Sequence, residues 1–172
     1  TFDDNYQGFY DVAYPLLKAR GWPSSMFVHT GFVGQTTGKH PKMSYDTLRT
    51  LVKEGLVEIG SHTISHPNDL SKLDPLKQEE ELRKSKDDLE RNLGSEIVDF
   101  AYPNGGNDAA CQERTKIAGY RMAFTIVNGL AESSPGIMAI NRYVHTKLDK
   151  ALDDRDRAIA GGAGRIADLE LD

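Results

Sequence analysis

Two histidines stand four residues apart in the segment from Ser61 to His66, directly after a predicted strand that ends at Gly60. Side chains four residues apart on a helical turn lie on the same face, so the spacing predicts that His62 and His66 point the same way. Two neutral imidazoles and one carboxylate form a metal site that leaves positions open for water and substrate. The pair therefore indicates a metal centre of the hydrolytic type, completed by a carboxylate from elsewhere in the chain.

Asp3 and Asp4 are the best source of that carboxylate. Parallel α/β folds collect functional groups where strands end, and we expect residues 1–4 to be the end of a strand that begins upstream of the given chain. Two adjacent aspartates can divide the work between binding a metal and taking a proton. Each motif alone also occurs by chance on protein surfaces. Their joint occurrence after predicted strands is what favours a site.

Composition excludes several classes of function. Cys111 is the only cysteine, so an intrachain disulfide and a cysteine-rich metal site are both excluded. A net charge of -5 without a basic stripe disfavours nucleic-acid binding, which depends on concentrated Lys and Arg. No apolar run approaches the ~20 residues of a membrane span. We therefore expect neither a nucleic-acid partner nor a membrane span in the 172 residues given.

Strand-like and helix-like patterns alternate along the chain. Ser44 and Asp74 are predicted to begin two helices, which Gly55 and Gly94 are predicted to end. Such alternation implies parallel strands with helices packed outside, in an open sheet or in a barrel, and periodicity does not choose between them. The full set is helices at 6–20, 44–55, 74–94 and 109–118, with strands at 26–28, 56–59, 97–102, 122–126 and 138–144.

Three segments resemble, in order, motifs of the polysaccharide deacetylases of the NodB-homology type, also called carbohydrate esterase family 4. The segment 1–4 is similar to the first motif, which implies that Asp3 is the base and Asp4 a metal ligand. The segment 61–66 is similar to the second motif, which implies that His62 and His66 are the other ligands. Residues 100–105 resemble the third motif in the variant form of the poly-N-acetylglucosamine deacetylases, and the spacing between the motifs also fits.

The resemblance covers roughly residues 1–148 and implies both a fold and an activity. The fold would be an irregular (β/α) barrel of about seven parallel strands. The activity would be removal of acetyl groups from N-acetylated carbohydrate polymers of the N-acetylglucosamine type, by a metal-activated water with Asp3 as base. The cofactor would be one divalent ion, Zn²⁺ first, with Co, Ni or Fe as alternatives. The protein would work outside the cell or in its envelope.

The third motif departs from its commoner form, which places an arginine at the position of Ala101 and a tyrosine at that of Asn104. The family's arginine orients the base, and this chain lacks it. Arg142 could supply a guanidinium from the last predicted strand, or it could form an ordinary salt bridge at a strand end. The turn of Tyr102, Pro103 and Asn104 could still offer a backbone N–H to an oxyanion, because that role needs geometry rather than a particular side chain.

His145 is the candidate general acid, since expulsion of an amine needs a proton donor. It would correspond to the family's late histidine, although the pattern Tyr143-Val144-His145 matches imperfectly. His29 follows a predicted strand and could line the pocket, or be an ordinary loop histidine. The acidic run 78–81 is interpreted as a solvated helix face.

Domain boundaries and rival functions complete these expectations. Residues 1–160 are expected to form the catalytic domain, and the charged, glycine-rich residues 161–172 a tail or exit linker.

An acetyl-xylan esterase is one rival function, because it would share the whole apparatus and differ only in substrate. A non-haem iron oxygenase also uses two histidines and a carboxylate, but it would not need the second aspartate. A non-catalytic sugar-binding domain is the third alternative, favoured by the missing arginine and opposed by Asp3.

Overall fold

Five short parallel strands form a single sheet in the computed structural model, which describes residues 1–161. They are β1 (Phe2–Asp3), β2 (Ser24–Val28), β3 (Val57–Ser61), β4 (Asp99–Ala101) and β5 (Met122–Phe124). The strand order in the sheet is the chain order, and every pair is parallel. An order without reversal differs from that of a doubly wound sheet, in which the order reverses at a switch point. The predicted parallel α/β class is confirmed.

The connections between the strands are helical, as the alternating pattern predicted. The helices are α1 (Tyr14–Lys18), α2 (Tyr45–Glu54), α3 (Pro75–Leu93), α4 (Ala109–Ile117) and α5 (Leu148–Ala160). The Ser44 side chain accepts the Thr47 amide at 3.2 Å, and Asp74 caps α3 in the same way. Gly55 and Gly94 end α2 and α3 with φ of 75° and 71°, a conformation that glycine adopts without steric cost. These four predicted boundaries are confirmed.

The predicted helix 6–20 is confirmed as a continuous helical segment over residues 7–18. Its middle is a π-helical turn, Phe9–Ala13, and α1 follows directly. The Tyr14 amide donates to Phe9 O, so the hydrogen bonding runs on from the π turn into α1. Pro15 stands just after this junction.

The core lies on both faces of the sheet. Met26, Phe27 and Val28 of β2 are fully buried, as expected for a parallel strand covered on both sides. Leu48 and Leu51 of α2 pack into the same apolar cluster, together with Leu82 and Leu89 of α3. Within residues 1–161, no helix combines the length and the apolar character that crossing a membrane requires.

The predicted strand 138–144 is wrong. Residues Ile137–Ala139 form a 3-10 turn, and only Ile140 makes a parallel bridge, to Phe124 of β5. Closure into a barrel and a count of about seven strands are accordingly not confirmed for residues 1–161, in which no backbone pairing joins β1 to the segment around Ile140. A side chain spans that gap instead, since Arg142 reaches Asp3 of β1. Of the predicted tail, residues 162–172 lie outside the described residues.

Candidate metal centre

Asp4, His62 and His66 come together at the carboxyl ends of β1 and β3. Their ligand atoms all lie within 4.8 Å of one another. The Nε2 atoms of His62 and His66 are 3.7 and 3.5 Å from Asp4 Oδ1. Two ligand atoms bound to one tetrahedral zinc at about 2.1 Å stand about 3.4 Å apart, so these separations suit a shared ion.

The Asp4 carboxylate supplies an independent test of that fit. Its Oδ1 atom is buried and has no hydrogen-bond partner among residues 1–161. Buried polar atoms nearly always have a partner, and a carboxylate oxygen without one is costly. A cation between Asp4 and the two imidazoles would supply the missing partner. The residues present therefore fit a divalent metal ion bound by nitrogen and oxygen.

His62 is held in the tautomer that a metal ligand needs. Its ring is buried, and Nδ1 lies 2.7 Å from the carbonyl oxygen of Ala101 in β4. A carbonyl only accepts hydrogen bonds, so Nδ1 carries the proton and Nε2 presents its lone pair towards Asp4. Burial also lowers the pKa of His62, which keeps the ring neutral. The backbone of Ala101 thus orients a ligand although its side chain offers only a methyl group.

His62 and His66 come together as the spacing predicts, but not on a helical turn. The segment is a loop, in which Thr63 and His66 adopt positive φ angles of 68° and 53°. The loop still brings the two rings to 4.9 Å between centroids. Glu81 of α3 holds it from outside, because one carboxylate oxygen accepts the amides of Ile64 and Ser65 at 2.8 and 3.0 Å.

Glu81 also corrects the interpretation of 78–81 as a solvated helix face. Its side chain turns to the ligand loop, and Gln78 is buried with its amide nitrogen donating to the carbonyls of Ser71 and Leu73. Glu79 and Glu80 do pair with exposed basic side chains, as a solvated face would. The run is therefore divided between the surface and the site.

Among the described residues that carry a Cβ, left-handed backbone occurs in the segments of the site. Among residues 1–161, the non-glycine residues with positive φ are Asp4, Asn5, Thr63, His66 and Asn104. Such conformations are unfavourable for residues with a Cβ and persist only where the surroundings impose them. They lie in or next to all three predicted motifs, which indicates that unfavourable backbone conformations are retained to shape this site.

Asp3 and Arg142 form a two-pronged ion pair beside the ligands. Arg142 Nη1 donates to Asp3 Oδ1 at 2.8 Å and Nη2 donates to Oδ2 at 2.6 Å, while Nε donates to Thr125 O at 2.9 Å. Burial alone would raise the pKa of Asp3, but the hydrogen bonds and charge of Arg142 outweigh it, so the pKa lies below its ordinary value. Asp3 is thus a carboxylate with a defined direction. A role for Arg142 in orienting a base stays a prediction.

The turn of the third motif offers one backbone donor. Tyr102 donates its amide to Phe124 O, Gly105 donates to Tyr102 O, and Pro103 has no N–H. The Asn104 amide is left as the turn's candidate donor, and the Asn104 side chain donates to Asn68 O at 3.2 Å, close to the ligand loop. The Tyr102 side chain lies in the core, where its hydroxyl donates to Met138 O at 3.1 Å.

His145 lies on the Asp3 side of the site. It is exposed, in a 3-10 turn, and it lines a hollow of about 410 Å³ together with Asp3 and Arg142. Asp4 and His66 line a second hollow, of about 360 Å³. His145 therefore lines the hollow of the expected base and not that of Asp4 and His66, and its role as an acid stays a prediction.

Two further buried residues lie at the site: His29, for which the sequence left pocket lining and an ordinary loop position both open, and Lys42, which the sequence did not assign. His29 Nε2 and Lys42 Nζ lie 3.1 and 2.9 Å from the backbone oxygen of Asp4. Burial and the charge of Lys42 lower the pKa of His29 to about 4, so its ring is neutral. His29 follows β2 as His62 follows β3, and that strand-end position was the available signal. Lys42 carried none, because the segment 39–42 resembles an exposed loop.

The polysaccharide deacetylase family model matches residues 1–123. The chain belongs to this family. It is 32% identical over 136 residues to the poly-beta-1,6-N-acetyl-D-glucosamine N-deacetylase of Staphylococcus aureus, covering 73% of this chain and 46% of that protein. It is 25% identical to the Escherichia coli K12 enzyme of the same name, covering 99% of this chain and 35% of that protein. The chain thus spans less than half the length of these curated relatives.

Solved structures of deacetylases share the fold. The Streptococcus pyogenes deacetylase PplD in complex with acetate superposes with a TM-score of 0.78 at 26% identity, covering 89% of this chain and 67% of that one. IcaB from Ammonifex degensii gives a TM-score of 0.77 at 26% identity, covering 88% of this chain and 70% of that one. The similarity extends beyond the matched residues 1–123.

Proposed function

We propose that this chain is the catalytic part of a metal-dependent hydrolase that removes acetyl groups from an N-acetylated polymer of the N-acetylglucosamine type. One observation carries the proposal: the Asp3 carboxylate, held by two hydrogen bonds from Arg142, directly precedes Asp4 of the candidate metal cluster. The other two members of that cluster are His62 and His66. Relatives named for deacetylation of poly-beta-1,6-N-acetyl-D-glucosamine support the substrate class. The acetate in the PplD structure agrees with the product.

The proposed ligands are Asp4, His62 and His66, with Zn²⁺ as the first choice for the ion. When bound there, a divalent ion would lower the pKa of a water and polarise the acyl oxygen. Asp3 accepts the proton of the attacking water, a contribution typically worth about 100-fold to 10,000-fold. Arg142 keeps the Asp3 carboxylate ionised and fixed in direction, as the family's missing third-motif arginine would.

The remaining steps use backbone and a histidine. As the water oxygen adds to the acyl carbon, the Asn104 amide can donate to the developing oxyanion. The C–N bond then breaks, and the nitrogen takes a proton from protonated His145, giving an amine and acetic acid, which ionises to acetate. Asp3 gives the proton that it took from the water to solvent, and solvent reprotonates His145. His145 and Asp3 line one hollow, which supports a shared role at the same substrate.

The same proposal extends to domain and location. Residues 1–160 would form the catalytic unit, within an irregular barrel of about seven strands. The unreversed strand order and the Arg142 to Asp3 bridge across the open edge support that closure. The substrate class supports a location outside the cell or in its envelope.

An acetate-release assay tests the proposal. The metal-loaded protein is offered oligomers of β-1,6-linked N-acetylglucosamine and acetylated xylan in parallel, beside chelator-treated protein and the Asp3→Asn variant. Release from the glucosamine oligomers that needs both metal and Asp3 is the expected result. Release from xylan alone would make it an O-acetyl esterase, and sugar binding without release from either would make it a binding domain.

A further inference from the structure

The backbone oxygen of Asp4 receives two side-chain donors at once. His29 Nε2 lies 3.1 Å away and Lys42 Nζ 2.9 Å away. A carbonyl oxygen only accepts, so His29 must carry its proton on Nε2, and the ammonium of Lys42 donates beside it. Both residues are at least nine-tenths buried, with 5% and 8% of their surface exposed. Burying an ammonium group is costly unless it is well bonded, so this contact is a built feature of the fold.

Lys42 is carried to Asp4 by a segment that pairs with the residues after it. Tyr6 and Lys42 form an antiparallel bridge, and the amide of Met43 donates to Asn5 O at 2.9 Å. The ammonium also lies 3.6 Å from the centre of the Tyr6 ring. The segment around Lys42 therefore closes over the loop that carries Asp4.

We propose that His29 and Lys42 are positioning residues that lock the Asp4 peptide and so set the affinity of the metal centre. Asp4 has a φ of 73°, a left-handed conformation that is unfavourable for a residue with a Cβ and persists where the surrounding structure holds the backbone. Rotation of the peptide towards an ordinary φ would swing the carboxylate away from His62 and His66. Two donors on one carbonyl oppose that rotation. The inference rests on the proposed ligand set and adds residues that the mechanism does not use.

The charge of Lys42 makes the proposal sharply testable. A buried cation close to a bound cation repels it, so removal of the charge alone would tighten metal binding. Loss of the donor to Asp4 would weaken binding, because the ligand would no longer be held. The two effects have opposite signs, and partners that orient metal ligands are typically worth about 10-fold to 100-fold in affinity. We expect the loss of the donor to outweigh the loss of the charge, so that metal binding weakens.

The test is a measurement of Zn²⁺ affinity by competition with a chromophoric chelator. Lys42→Met and His29→Phe remove the donors while keeping apolar bulk, and Lys42→Arg and His29→Gln keep an N–H. Lys39→Met, in the same segment and exposed, removes an equal charge away from Asp4. Amide hydrogen exchange of Met43 in the metal-free proteins reports on the segment independently, with the His62 amide, which donates to Val28 O, as reference.

We expect Lys42→Met and His29→Phe to bind Zn²⁺ about 10-fold to 100-fold more weakly than the parent. Lys42→Arg and His29→Gln, which keep an N–H, should weaken binding by less than about 3-fold. Lys39→Met should keep the parent affinity. Exchange of Met43 should quicken in Lys42→Met while that of His62 does not. Unchanged or tighter binding in Lys42→Met would refute the positioning role of His29 and Lys42 but would leave the proposed metal centre standing. A parent protein that binds no Zn²⁺ would refute both the metal centre and the positioning role.

Discussion

Arg142 and Asp3 are 139 positions apart in the chain, yet the guanidinium of one contacts both carboxylate oxygens of the other. Charge-assisted pairs with this parallel geometry are stronger and more directional than ordinary hydrogen bonds. The pair links β1 to the segment beyond β5, so the open edge of the sheet is bridged where the proposed base lies. The fold and the proposed catalysis would therefore depend on the same contact.

Replacing Arg142 by methionine should raise the pKa of Asp3, because the pair is what holds that pKa below its ordinary value. Asp3 would then be protonated at a higher pH, and the acidic limb of the kcat/KM profile should move to higher pH. We also expect at least about a 10-fold loss of kcat at neutral pH, within the range of general-base contributions. Arg155→Met, which removes an exposed arginine, is the control. An unmoved acidic limb would mean that Arg142 serves only the fold.

Asp3→Asn should keep the metal and lose about 100-fold to 10,000-fold in turnover, since the amide preserves size but cannot take the proton. Asp4→Asn should instead lose metal. Metal content and acetate release measured on both variants separate the two roles. The opposite pattern would exchange the assignments of the two aspartates.

His62→Ala and His66→Ala should each bind metal far more weakly than the parent, because each removes one of three protein ligands. His40→Ala provides the control, since His40 lines the same hollow as Asp4 and His66 but is absent from the cluster of ligand atoms. Metal content after dialysis measures the result. Parent-like metal content in folded His62→Ala and His66→Ala would refute the ligand set.

Glu81→Gln should loosen the ligand loop, because a neutral amide accepts backbone N–H groups less strongly than a carboxylate. We expect faster amide hydrogen exchange at Ile64 and Ser65, which both donate to Glu81. Glu79→Gln is the matched control, because Glu79 lies on the same helix and pairs with exposed Arg83 instead of with the ligand loop. Equal exchange in the two variants would show that the loop holds itself.

Asp99→Asn should stabilise the fold at neutral pH. Asp99 is 6% exposed, and burial, assisted by the charge of Glu58, raises its pKa to about 6. A raised pKa means that the parent loses stability as pH rises from about 4 through 6, whereas the amide does not titrate. The stability difference should therefore grow over that range, towards about 2 kcal/mol. Urea unfolding at pH 4.5 and 7.5 measures it, with exposed Asp153→Asn as control. A difference independent of pH would contradict the assignment.

The sequence alone determined what is local. Ser44 and Asp74 begin their helices and Gly55 and Gly94 end theirs, because capping and left-handed termini depend on residues within a few positions of one another. The residue types also determined the ligand chemistry, since a chain with one buried cysteine must bind a metal through histidine and carboxylate.

Only the tertiary structure decided how those ligands are presented. The spacing of His62 and His66 predicted side chains on one side, as on a helical turn, but the segment is a loop that Glu81 holds from a different element. The arginine that contacts Asp3 is Arg142, 139 positions further along the chain, and no local pattern around Asp3 predicts that contact. The clamp of His29 and Lys42 acts on a backbone oxygen, which every residue possesses and no pattern of side chains reveals. Contacts between distant segments depend on how the sheet curves and packs, and that information is shared among all its residues.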